Sequence, residues 1–315
     1  MYAFHLTGNF PRPDELIDVS RQLDRGRTDE KEFEENLTSS TRKVITLQMT
    51  NGLDKLVDGQ LSWQDIFRPF SELLDGVKAG TLRRWFDNNT FYRVPIVYDR
   101  VRRNEAPITK YYRHDLIPNR ERRKAILPGP HTFAKLSENT AYASFADLVD
   151  DLAHSLADVS RELIEDGYTF LQFNEPSLCR ATSQELEIAK SGFELLAKNH
   201  AKIMIHTYFD TVSHIIEDLL DFPVDCIGID LYANDINAFD QYSFSHELSC
   251  GCVDGRNSLI EPVDQIVELI TKVRDAIEPS QLYVGPNCDL EFLPYTVAEK
   301  KVRLLGDVRR RLNGQ

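Results

Sequence analysis

The sequence predicts an α/β protein of the (β/α)8 TIM-barrel class, with a β-hairpin excursion after the second strand. Three observations lead there. Short apolar runs at 124–128, 169–173, 202–206, 225–230, 246–252 and 281–286 are mostly separated by amphipathic stretches of helical period. Two earlier runs, 2–7 and 53–57, supply the remaining strands of an eight-stranded count. Polar residues gather just after each run, on the side where a parallel barrel carries its site. No Gly-rich fingerprint follows the first strand, which disfavours a doubly wound sheet.

In order, the first strand alternates from Tyr2 to Thr7 and stops at Gly8 and Asn9. Pro11 and Pro13 break the chain, and helical stretches follow at 14–24 and 29–50. The second of these is long and polar, with Val44, Leu47 and Met49 giving an apolar stripe only towards its end. The run 53–57 closes at Asp58, Gly59 and Gln60. Residues 61–123 leave the rhythm. Trp85 to Tyr98 reads as a hairpin with Asn88 and Asn89 near its turn. A basic tract follows: Arg100, Arg102, Arg103, Lys110, Arg113, Arg120, Arg122, Arg123 and Lys124, with Tyr111 and Tyr112 inside it. It is either a solvated face or a grip on a polyanionic ligand tail. Farther on, 145–165 sets Leu148, Leu152, Leu156, Val159 and Leu163 on one helical face. The stretch 262–277 does the same with Ile266, Ile270, Val273 and Ile277, and Pro262 suits a first helical position. One barrel domain over 1–315, with 61–123 as a hairpin and basic-loop insertion, is the expectation.

A formal net charge of −13 and a pI near 5.1 argue against a nucleic-acid partner, which needs a basic footprint. Neither a cationic leader nor an apolar run of roughly 18 residues is seen, so no membrane span is expected. The cysteines at 179, 226, 250, 252 and 288 form no secreted-type framework, and free thiols in a reducing cytoplasm are expected.

Residues 245–258 are the densest in chemistry, with Glu247, Cys250, Cys252, Asp254 and Arg256 in one short stretch. If His206, Glu247 and Cys288 end three strands on one face, they offer one N, one O and one S donor, a set that suits zinc. Cys250 or Cys252 is available as a fourth ligand. A plainer reading stands beside this one: a strand-end His is often only hydrogen-bonded, and buried free Cys packs as a small hydrophobe.

Several segments match a known pattern in chain order. They are Gly8-Asn-Phe-Pro-Arg12, Leu127-Pro-Gly-Pro-His-Thr-Phe133, Asn174-Glu-Pro-Ser-Leu178, the stretch from Glu247 to Asn257, and Pro286-Asn-Cys-Asp-Leu290. Together they resemble the cobalamin-independent methionine synthases, in particular their single-barrel archaeal-type relatives. The resemblance implies methyl transfer from a methyl-folate or methyl-corrinoid donor to a zinc-bound thiol, homocysteine or a related one. It implies His206, Glu247 and Cys288 as zinc ligands and Asp254 as a catalytic residue. Asn9, Gln60, Asn174 and Glu175 would position the acceptor, and the basic tract would meet a polyglutamate tail. Three departures stand out. Tyr208 occupies the position of a further cysteine ligand, and Gln60 and Asn174 stand where the family has carboxylates for the acceptor's ammonium. Thr207-Tyr-Phe209, Val253-Asp-Gly-Arg-Asn257 and Trp85 to Tyr92 are closer to the amino-terminal barrel of the two-barrel enzymes, a copy without the catalytic zinc. The alternative it implies is a non-catalytic donor-binding barrel that works with a separate catalytic chain or a corrinoid protein.

Overall fold

The computed structural model describes residues 2–314. Strand β1 (Tyr2–Phe4) is followed by helices α1 (Asp14–Asp24), α2 (Glu30–Thr50) and α3 (Phe70–Leu73), then by the hairpin strands β2 (Leu74–Arg84) and β3 (Phe91–Arg103). The regular part comprises β4 (Lys124–Pro128), α4 (Pro130–Leu136), the short β5 (Glu138–Asn139), α5 (Phe145–Glu165), β6 (Phe170–Asn174) and α6 (Ser183–Leu196). It continues through β7 (Lys202–His206), α7 (Ile216–Leu219), β8 (Cys226–Asp230), β9 (Glu247–Val253), α8 (Val263–Ile277), β10 (Leu282–Pro286) and α9 (Tyr295–Asn313). Seven strands pair in parallel in the order β1-β10-β9-β8-β7-β6-β4, forming a curled sheet with helices outside.

The run 53–57 is not a regular strand, contrary to expectation. It makes one isolated bridge, Leu56 with Arg123. Its backbone bonds Phe4 on one side, through the amides of Asp54 and Lys55, and Arg122 and Lys124 on the other. The segment therefore stands in the gap between the two edge strands. Part of its backbone is claimed by a side chain instead of a ladder: buried Gln48 of α2 donates to the Val57 carbonyl and accepts from its amide, at 2.7 and 3.1 Å. Helix α2 buries Leu37, Ser40, Thr41, Val44, Ile45 and Gln48, a face that starts well before the stripe the sequence suggested near its end.

Helix starts follow local chemistry. Ser144 caps α5, and Thr182 with Glu185 forms a reciprocal capping box on α6. The stripe Leu148, Leu152, Leu156, Val159 and Leu163 is buried as its spacing predicts. Pro262 is the residue before α8 rather than its first turn. The hairpin begins at Leu74, earlier than expected, and Asp65 pins it by accepting from the Arg93 amide as well as from Phe67 and Arg68.

The basic tract is largely spent on the protein itself. Arg100 pairs with Asp151, Arg103 with Glu162, Lys110 with Glu72 and Arg113 with Glu34. Arg122 and Arg123 donate to backbone carbonyls of Leu53, Ile117 and Asp166. Lys124 turns inward, where its Nζ meets His5 Nδ1 and the Leu6 carbonyl, and His5 passes on to Ser249 at 2.9 Å. Burial pushes the Lys124 ammonium far below its usual range. Among the described residues, no helix is long and apolar enough to cross a membrane.

Candidate functional site

Along a strand every second side chain shares a face, so Lys202, Met204 and His206 point one way and Glu247, Ser249 and Gly251 likewise. The ladder aligns His206 with Gly228 and Gly228 with Ser249. Glu247 is thus two residues below that level and at the start of its strand, not the end. Two residues of rise and two strand spacings put its Cα roughly 12 Å from that of His206. Its carboxylate is already taken, at 2.6 and 2.7 Å, by Nζ of Lys202, which starts β7. Cys288 follows β10 with its thiol packed at Gly255, where even a methyl group would come within 2.9 Å of Sγ. Burial raises that thiol well above its usual range.

The expected zinc trio is therefore not assembled. His206 and Cys288 lie at the C-terminal mouth of the sheet, and Glu247 at the opposite mouth. His206 Nε2 is bonded to the Asn287 carbonyl at 3.0 Å, and burial lowers its pKa to about 3, so the ring is neutral. Neither proposed fourth ligand helps. Cys250 and Cys252 alternate with the inward residues and pack in the main hydrophobic core, Cys252 against the Gly285 carbonyl. Tyr208, in the remaining ligand position, is buried with its hydroxyl unpartnered. Among the described residues no three His, Cys, Asp or Glu side chains form a metal-holding group. The donor set does not fit zinc as it stands.

The other strand ends do converge. Glu175, after β6, accepts from the amides of His131 and Thr132 at 2.9 and 2.7 Å, at the first turn of α4. Gly129 is required beside it, since a Cβ there would fall 2.1 Å from the Glu175 carboxyl carbon. Burial pushes Glu175 up to about 7 against the pull of these donors. Asn174 accepts from Gln172 at 2.6 Å and leaves its own Nδ2 without a partner. Gln60 holds a left-handed backbone (φ 53°), fixed by the Asp58 carboxylate accepting from its amide. Asn9 spans two carboxyls, donating through its amide to Asp289 and through Nδ2 to Glu291.

Asp254 belongs to a neighbouring hollow of 430 Å³ lined by Phe209, Asp230, Tyr232, Asp254, Arg256 and Asn287. Asn287 is its hub. Its Nδ2 donates to Asp230 at 3.1 Å, and its Oδ1 accepts from Gly255 at 2.8 Å. The Arg256 guanidinium lies 5.1 Å over the Phe209 ring. Sequence reasoning passed over Phe209, Tyr232 and Glu291 as site residues. The signal available for Glu291 was a second acid two residues after Asp289 in a loop that already looked functional.

A family model described as "Cobalamin-independent synthase, N-terminal domain" matches residues 70–278. The chain belongs to the cobalamin-independent methionine synthase family. A 5-methyltetrahydropteroyltriglutamate–homocysteine methyltransferase from Bacillus thuringiensis (strain Al Hakam) is 28% identical over 232 residues, covering 70% of this chain and 30% of that protein. A second, from Bacillus cereus (strain AH187), is 25% identical over 308 residues, covering 87% and 40%. This synthase-family chain thus spans less than half the length of these relatives. In fold it resembles a B12-independent methionine synthase from Shewanella sp. W3-18-1, solved with selenomethionine, at TM-score 0.83, 18% identity and 99% coverage of both chains. A putative vitamin-B12-independent methionine synthase from Listeria monocytogenes gives TM-score 0.79 at 14% identity, again with 99% of both chains covered.

Proposed function

We propose that this chain is a donor-binding barrel of the methionine-synthase type, which holds a methyl-folate and presents it to a separate catalytic chain carrying the thiol. One observation supports the reading: Glu247 is committed to Lys202 at the far mouth of the sheet, and among the described residues no three His, Cys, Asp or Glu side chains gather to hold a thiol-activating metal. The match to an N-terminal-domain model, and the short share of the longer relatives that the chain spans, support it. In this reading 53–57 closes the seven strands into a (β/α)8 barrel, and the hollow around Asn287 takes the donor. A flat heteroaromatic ring would lie against Phe209 and Tyr232, with its N–H edge on Asp230 and Asp254. A donor carboxylate would meet Arg256, as charge-assisted pairs are roughly twice as strong as neutral ones.

Titration of the full chain with 5-methyltetrahydrofolate should give saturable binding that needs no added zinc. Arg256→Ala should weaken it about tenfold, the loss of one charge-assisted bond. Zinc per chain should be far below one equivalent and unchanged in Cys288→Ser. A full equivalent of zinc that Cys288→Ser loses, or homocysteine methylation by this chain alone, would overturn the reading.

A further inference from the structure

The loop of residues 254–262, between β9 and α8, carries two residues of the hollow around Asn287, Asp254 and Arg256, and is fastened from behind it. The fastener is Glu261, just before Pro262 at the head of α8. Its Oε1 accepts from the Asp254 amide at 2.8 Å, from the Tyr232 hydroxyl at 3.1 Å and from Lys301 Nζ at 2.8 Å. Lys301, on α9, has a fully buried side chain. All three of its ammonium protons are used, on the Leu259 carbonyl at 2.6 Å and on both oxygens of Glu261 at 2.8 Å.

This junction turns Tyr232 round. An exposed tyrosine ordinarily packs its ring and leaves its hydroxyl in water. Here the hydroxyl is the tethered end, on Glu261 with the Cys252 carbonyl 3.3 Å away, while the half-exposed ring lines the hollow. The same carboxylate oxygen fixes the backbone from which Asp254 enters that hollow. Burying an ammonium as deeply as Lys301 carries a desolvation cost that its ion pair only offsets, and an apolar side chain of similar size would serve stability as well. What Glu261 holds in place accounts for the pair better than stability does.

We infer that Glu261 and Lys301 are positioning residues of the donor hollow, holding the Tyr232 ring and the Asp254 backbone ready for a planar ligand. This role rests on the donor-binding reading and deepens it, naming the residues that prepare the hollow. A ring already held in place loses less freedom when a ligand stacks on it.

Calorimetric titration of the full chain with 5-methyltetrahydrofolate, beside melting curves, is the test. Tyr232→Phe keeps the ring and removes only its tie to Glu261. It should weaken binding about three- to tenfold, the contribution of one hydrogen bond. Glu261→Ala combined with Lys301→Met, so that no ammonium is left buried alone, should weaken binding at least as much. Adding Tyr232→Phe to that pair should weaken it no further, because the ring is already loose. Glu261→Gln, which keeps an acceptor oxygen, should bind nearer to wild type than the pair. A purely structural role would lower the melting temperature and leave the affinity of the folded protein unchanged. Folded Tyr232→Phe and Glu261→Ala/Lys301→Met proteins that bind like wild type, or additive losses in the triple variant, would therefore overturn the assignment. Should the paired variant not fold, Tyr232→Phe, which leaves the ion pair intact, decides. A wild type that binds no methyl-folate removes the donor reading and this assignment with it, whereas a wild type that binds no better than its folded variants removes this assignment alone.

Discussion

Glu175→Gln should lower the stability of the fold and flatten part of its dependence on pH. The folded carboxyl titrates at about 7 against an ordinary value of 4.5, so the folded state holds a proton that the unfolded state has released in between. Its contribution is fully present below the ordinary value and is lost as pH rises through about 7, worth roughly 3 kcal/mol in all. The sign is the reverse of the common acid-denaturation case: the protein should gain stability on mild acidification. Glutamine removes this proton. It also turns an amide N–H towards one of the two backbone amides that Glu175 now accepts from, His131 or Thr132. A buried donor facing a donor costs about 1–3 kcal/mol. Urea unfolding at about pH 5 and about pH 8 checks both effects together. The variant should be less stable than wild type at the lower pH and show a smaller difference between the two. Glu291, also raised to about 7, contributes a slope of the same sign, so the variant should retain part of the pH dependence. An unchanged difference would mean that Glu175 is ionised in the fold across the whole range.

The alternation of strands and helices was legible because parallel strands buried on both faces read as continuous apolar runs, and their helices carry one apolar stripe. Leu171, Phe173, Ile203, Ile205, Ile227 and Ile229 are such residues. What was not legible is which partner each backbone finds. The run 53–57 is as apolar as a strand, but Gln48, on a helix that read as polar, takes the hydrogen bonds of Val57. Glu247 shows a second limit. An acid next to an apolar run can sit at either mouth of a sheet, and the two placements differ by the whole length of the strand. Here Leu248 to Val253 follow it, so Glu247 opens β9 and finds Lys202. The residues that do reach the C-terminal mouth from that stretch are Asp254 and Arg256. Parity decided the thiols as well: Cys250 and Cys252 share the face of Leu248, which looks at the helices, while Ser249 and Gly251 look inward. The resemblance named the family, but the ligand set it implied depends on how the strand ends meet, which residue order does not carry.

Asn287→Ala should be among the most damaging single changes, in both stability and donor binding. Asn287 is buried and uses every polar atom it has. Its side-chain amide donates to Asp230, and its side-chain carbonyl accepts from Gly255. Its backbone amide donates to Val253, while its backbone carbonyl receives His206. Alanine keeps the two backbone bonds and loses the two made by the side chain. A buried carboxylate at Asp230 and a buried amide at Gly255 are then left short of a partner, at about 1–3 kcal/mol each. The vacated volume adds a cavity term unless water fills it. A total of about 3–5 kcal/mol corresponds to a melting temperature lower by roughly 5–8 °C in a chain of this size. Asn287→Asp separates the two roles of the side chain. It keeps an acceptor for Gly255 but sets a carboxylate against Asp230 and Asp254, and like charges at that distance push one carboxyl to take up a proton. The stability of Asn287→Asp should therefore recover towards wild type as pH falls, while that of Asn287→Ala should not. If the hollow holds the donor through Asp230 and Asp254, both variants should also weaken 5-methyltetrahydrofolate binding under conditions where they remain folded. Folded variants that bind it like wild type would place the donor elsewhere on the mouth, and the loss would then be one of stability alone.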